Sequence, residues 1–353
     1  MNPKRAAKTA LRILVSLLVS AAFVWLSLRH TDLRAVGRTV LAADPRPVLA
    51  YLFILLVIHL VRTVRWGLLL EPLGHVGFRR LNSASAVGFM MLMVLPLRLG
   101  ELARPVLVSR TPSGDGPQLR RSGAMASCVV ERVIDGLAVG VLGLVALRLL
   151  GERATGSAAD FARHASWVVT GGFLALCAAL VAAFFLRQRA ATMVRRCLSP
   201  VSPRLADRAA SMLEAFIEGL HLGSGLRVVA VLGLTVVHWA LHVIGFALLA
   251  PSFGFTLTPL MACAVLAAQV VGVMVPAGPG MVGTSQFFTQ AGLAIFLPGA
   301  LTVPGVAVRA AGYANTIWIL QFGQQVLLGL LFWVAGRVSL ASLLRPQAEE
   351  SAV

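Results

Sequence analysis

The chain has 353 residues, of which 58% are hydrophobic and only 13% charged. A soluble domain carries about 25% charged residues, so a soluble enzyme of two or three domains is excluded. The formal net charge of +17 does not signal nucleic acid, because the basic residues collect in the gaps between apolar stretches and lack accompanying stacking aromatics.

Lys4, Arg5, Lys8 and Arg12 precede an apolar run that ends at Leu28 without a small-x-small cleavage site. This predicts an uncleaved first helix with its basic end in the cytoplasm. Six stretches are long enough to cross a bilayer: 11–28, 47–70, 124–150, 165–187, 226–250 and 305–333. Between the first two, Leu33, Val36, Val40 and Leu41 share one helical face, which predicts an interfacial helix within 29–46. Two further apolar pieces are broken, 83–104 around Pro96 and 257–297 around Pro276 and Pro279. Such backbone is tolerated at membrane depth only where protein or a wet cavity satisfies it. The 187–227 loop carries Arg187, Arg189, Arg195, Arg196, Arg204, Arg208 and Arg227 and should be cytoplasmic; Pro251–Thr256 has no charge and should lie outside. Trp25, Trp66, Trp167 and Trp333 fall near span ends as interfacial anchors, while Trp239 and Trp318 lie deeper, in the core or along a cavity.

The expected fold is all-α: a polytopic integral membrane protein with six full spans and two re-entrant broken-helix hairpins, or eight spans. One transmembrane domain covers 1–340, with halves at 47–150 and 226–333 related as an inverted repeat, and both termini cytoplasmic. Residues 341–353, with Glu349 and Glu350, read as a short disordered tail.

The densest ionisable set in apolar surroundings is Arg98, Glu101 and Arg104, followed by Glu131, Arg132 and Asp135. Each charge at a helix centre costs about 2.5–3.5 kcal/mol on insertion scales. Three positive and three negative groups at helical spacing suit mutual pairing. They form either an ion network that only locks helices together or a polar cavity for a charged headgroup, with an Arg fork on a phosphate. In the second break, Pro279, Gly280 and Gly283 precede Thr284, Ser285 and Gln286 at a helix start. Its exposed amides suit an anion, or the glycines form only a tight turn. His238 and His242 stand four apart but lack a third metal ligand, and Met90, Met91 and Met93 read as soft packing. The four cysteines, Cys128, Cys177, Cys197 and Cys263, lie far apart, without metal-ligand spacing or a disulfide framework. No metal or cofactor is expected, and no nucleophile elbow, catalytic carboxylate pair or Cys/His dyad points to an enzyme.

Three stretches together, Leu95-Pro-Leu-Arg-Leu-Gly-Glu-Leu-Ala-Arg104, Glu131-Arg-Val-Ile-Asp135 and Val275-Pro-Ala-Gly-Pro-Gly-Met-Val-Gly283, resemble the transmembrane flippase-like family of lysylphosphatidylglycerol synthases. The resemblance covers about residues 10–335. It implies a bacterial or archaeal inner-membrane protein that translocates a phospholipid or polyprenyl-linked lipid. It marks Arg98, Gly100, Glu101, Arg104, Glu131, Arg132, Asp135 and Gly283 as functional positions. Full-length synthases carry a soluble aminoacyl-transfer domain; this sequence shows none, so synthesis of lysylphosphatidylglycerol is not expected. The family often has an acidic residue where Gln286 stands, and an Arg in the last helix where Tyr313 and Asn315 stand. Both departures drain charge from the second half. Expected partners are membrane lipids, without nucleic acid, and a second copy or a lipid-modifying enzyme. The alternatives to transport are a non-transporting partner of such an enzyme and an intramembrane transferase.

Overall fold

The computed structural model describes residues 3–29, 31–95, 100–110, 119–151, 157–199, 224–275 and 277–335, with isolated positions between 202 and 214. Arg98 with the Pro96 kink, Pro276, Arg204, Arg208 and the expected tail at 341–353 lie outside the described residues. The regular structure within the described residues is helical throughout. In the first half it comprises α1 (Pro3–Leu28), α2 (Leu33–Leu41), α3 (Pro45–Leu70), α4 (Phe78–Val94), α5 (Ala103–Arg110) and α6 (Arg121–Leu150). Then come α7 (Ser157–Phe185), α8 (Arg187–Leu198), α9 (Gly225–Leu249), α10 (Pro259–Met274), α11 (Thr284–Ala294) and α12 (Pro304–Val334).

Local chemistry sets the helix starts. Pro45, Pro259 and Pro304 open α3, α10 and α12, where a missing N–H costs nothing. Asp32 and Asp44 cap α2 and α3 by accepting from the N–H groups of Arg34 and Arg46, each at 2.9 Å.

Among the described residues, four helical segments are long and apolar enough to cross a membrane: Pro45–Leu73, Arg121–Leu150, Gly225–Phe253 and Pro304–Val334. A fifth is counted if Leu14–Leu28 and Leu33–Leu41, bent by 82°, form one broken span. α2 lies across the end of α1 and packs on α12, burying Val36 while Leu33 and Leu41 stay exposed. The arms of the two broken pieces are short, 17 and 8 residues in α4 and α5, 16 and 11 in α10 and α11. None reaches the roughly 20 residues of a full span.

The bundle is knit between halves. α3 packs along α9, α4 along α12, and α10 against both α6 and its own hairpin arm α11, while α1 lies on α11. One core joins Tyr51, Phe246, Leu266 and Tyr313; a second, around the first break, joins Trp66, Leu70, Val87 and Val108. Outward faces carry exposed Phe53, Val141, Val236 and Leu327, the pattern expected where the solvent is hydrocarbon. The protein is a multi-pass membrane protein.

Candidate functional site

α3 brings His59, Arg62 and Arg65 to one face at three-residue spacing, and Arg65 is the hub of the interior. Its Nη1 and Nη2 donate to both oxygens of Asp135 at 2.6 and 2.8 Å, a bidentate fork. Nη2 also reaches Glu131 Oε1 at 3.0 Å, and Nη1 the hydroxyl of Thr235 at 3.0 Å. Arg104, from the arm after the first break, donates to Glu131 Oε2 at 2.7 Å. Its guanidinium lies 4.2 Å from the ring centroid of Trp66 and 4.5 Å from that of Phe89. Two cations and two anions thus close on one another inside the bundle, where an unpaired charge is most costly.

In front of this network lies a cavity of about 350 Å³, within the range of small-ligand sites. Asp135 and Arg62 line it, together with Glu101 and Arg132, whose Nε–Oε1 distance is 3.9 Å. That last pair is about a third exposed, so its contribution is only about 0–1 kcal/mol. The second half supplies Gly280, Met281 and Ser285 from its break, His238 and His242 from α9, and Gln321 from α12. Gln269 donates to Ser285 Oγ and Gln321 Oε1, and Gln321 to the Tyr51 hydroxyl, giving a neutral network opposite the charged one. Trp239 and Trp318 both line the cavity, and the Trp318 indole donates to Gly280 O at 2.7 Å.

Each break is held by a close backbone contact. A Cβ on Gly100 would overlap the α4 main chain at Met91 and Leu92, so only glycine lets the first hairpin fold back that tightly. Gly283, at φ +86°, caps α11 and would clash through a Cβ with the α1 backbone at Ser20 and Val24. α1 clasps this region: Ser20 Oγ accepts from Gly278 N at 2.9 Å, Gln290 donates to Ser27 Oγ, and Phe23 packs on Phe287 and Phe288.

The sequence-derived set divides accordingly. Glu101, Arg132, Asp135 and Gly280 line the cavity, while Arg104 and Glu131 form the network behind it. Gly100 and Gly283 shape the backbone, and Pro279 is exposed. Gln286 is buried and spends Oε1 on the Gly283 N–H at 2.8 Å, which turns it to the helix cap instead of the cavity. Arg98 lies outside the described residues. Trp66 is not an interfacial anchor as expected: it is fully buried, covers Arg104 and donates to Ser127 Oγ. Arg65 and Arg62 escaped the sequence reading, although two arginines and a histidine spaced by three in an apolar span were the available signal. Among the described residues no group of three metal-ligating side chains occurs. No curated protein and no solved structure matches the chain. Residues 13–319 match the family described as the lysylphosphatidylglycerol synthase TM region, and the chain belongs to that family.

Proposed function

We propose that the protein translocates the polar end of a phospholipid or polyprenyl-linked lipid across a bacterial or archaeal inner membrane, using the cavity between its two broken hairpins. One observation carries this reading. Glu101 from the first break and Gly280, Met281 and Ser285 from the second reach the same cavity, alongside Arg62, Arg132 and Asp135. A headgroup fits such a space while its acyl chains stay in the bilayer.

The reading includes six spans, two re-entrant hairpins and an inverted repeat with cytoplasmic termini. Its support is the packing: α4 pairs with α12 as α10 pairs with α6, and α3 pairs with α9, the pattern generated by exchanging the halves. The arginines of 187–227 support the cytoplasmic assignment of that loop. Transport of this kind involves no bond made or broken, so the proposal assigns no catalytic step.

The test is reconstitution into liposomes holding tail-labelled fluorescent phospholipid, with a membrane-impermeant quencher added outside. Loaded vesicles should lose fluorescence well beyond empty ones, and Glu101→Gln should slow the loss by about tenfold, equivalent to roughly 1.4 kcal/mol of barrier. Equal quenching of empty and loaded vesicles would instead favour a non-transporting partner of a lipid-modifying enzyme.

A further inference from the structure

Several polar atoms of cavity-lining side chains are buried without a hydrogen-bond partner among the described residues. They are Arg62 Nε on α3, His238 Nδ1, Trp239 Nε1 and His242 Nδ1 on α9, and Gln324 Nε2 and Gln325 Oε1 on α12. Proteins keep few such groups, because each forfeits its hydration. Here they sit on three separate helices whose side chains line one cavity, so the packing of any single helix pair does not account for them. They combine donors and acceptors that suit hydroxyl groups. Beside them, Trp318 and Phe322 stack at 5.1 Å between ring centroids, an apolar wall for carbon-bound hydrogens.

The charges add a second constraint. Of the cavity carboxylates, Asp135 is forked by Arg65 and Glu101 faces Arg132, so each already has an arginine. Arg62 makes no ion pair among the described residues; its guanidinium rests 3.8 Å from the centroid of Phe89. The cavity therefore presents a surplus cation and no surplus anion.

We propose that this cavity takes an anionic phosphate ester extended by a hydroxyl-rich polyol or glycosyl group. Arg62 holds the phosphate by charge-assisted hydrogen bonds. The amides, imidazoles and indole of α9 and α12 take the hydroxyls. A headgroup bearing an ammonium reaches a carboxylate only by displacing Arg132 from Glu101 or Arg65 from Asp135, which frees another cation, and is disfavoured. The proposal rests on the lipid-handling reading of the site, but concerns recognition and not movement.

The test is calorimetric binding to the full chain in detergent, apart from any transport measurement. The probes are dioctanoyl phosphatidylinositol, dioctanoyl phosphatidic acid, dioctanoyl phosphatidylethanolamine and free inositol 1-phosphate. Phosphatidylinositol should bind at least about tenfold more tightly than phosphatidylethanolamine, with phosphatidic acid between them. Arg62→Gln should weaken phosphatidylinositol and phosphatidic acid alike, and Arg62→Lys should restore part of the loss. Gln324→Leu should weaken phosphatidylinositol and spare phosphatidic acid. Equal binding of the inositol and ethanolamine lipids overturns the proposal. So does unchanged affinity in a folded Arg62→Gln or, should that variant not fold, in Gln324→Leu. Inositol 1-phosphate matching the lipid would support the recognition chemistry and overturn its lipid source. Selective binding without scrambling would leave this proposal standing and remove the transport reading.

Discussion

Arg65 is almost wholly buried, yet it is tied to three partners from two other helices. Removing it strands Asp135 and leaves Glu131 with Arg104 alone. Arg65→Ala is therefore expected to cost about 3–5 kcal/mol, the usual result of orphaning a buried charge. Thermal unfolding in detergent should show a large fall in Tm. The double variant Arg65→Met with Asp135→Asn removes one charge of each sign and leaves Arg104 to balance Glu131, so it should recover much of that loss. A double variant no more stable than Arg65→Ala would refute this account of the charge balance. The acidic half of the cluster was readable in the sequence, since Glu131 and Asp135 stand four apart on a helix. Their principal partner was not, because Arg65 lies 70 positions before Asp135 and shares no motif with it. Trp66 misled for a related reason: position near a span end suggests the interface, but its neighbours in space are Arg104 and Ser127.

At the level of elements, proline and glycine announced both breaks, and both appear where α4 gives way to α5 and α10 to α11. What local sequence did not carry is the role of α1, whose contact with the second break spans 258 positions through Ser20 and Gly278. Gly283→Val tests that clasp. A β-branched residue at φ +86° and pressed on the α1 backbone should cost at least about 1–2 kcal/mol. In a background without the four native cysteines, Cys substituted at Ser27 and Gln290 should form a disulfide, and adding Gly283→Val should reduce its yield. Undiminished cross-linking would mean that α1 docks independently of the tight turn. Gln286 follows the same logic: the family-level departure there reads as missing charge, and its side chain serves the Gly283 N–H in place of a ligand.

Across the whole molecule, helical class and membrane character followed from composition, because runs such as 226–250 and 305–333 have no other way to satisfy their backbone. The pairing of halves did not follow, since it depends on which helix faces meet, such as Tyr51 of α3 under Gly245 of α9. The proposed orientation, with both termini cytoplasmic, requires a single Cys placed at Thr111 to label only from the cytoplasmic side, and one at Pro298 only from outside. External labelling at Thr111 would invert or dismantle the arrangement. The clasp of α1 on the second hairpin also has a consequence for biosynthesis. The first helix leaves the ribosome long before Gly278 and Gln290 exist, so Ser20 and Ser27 wait through most of translation for these partners. A chain cut short before Gly278 leaves both serines without those partners, so the seating of α1 is completed only once the second hairpin has been made.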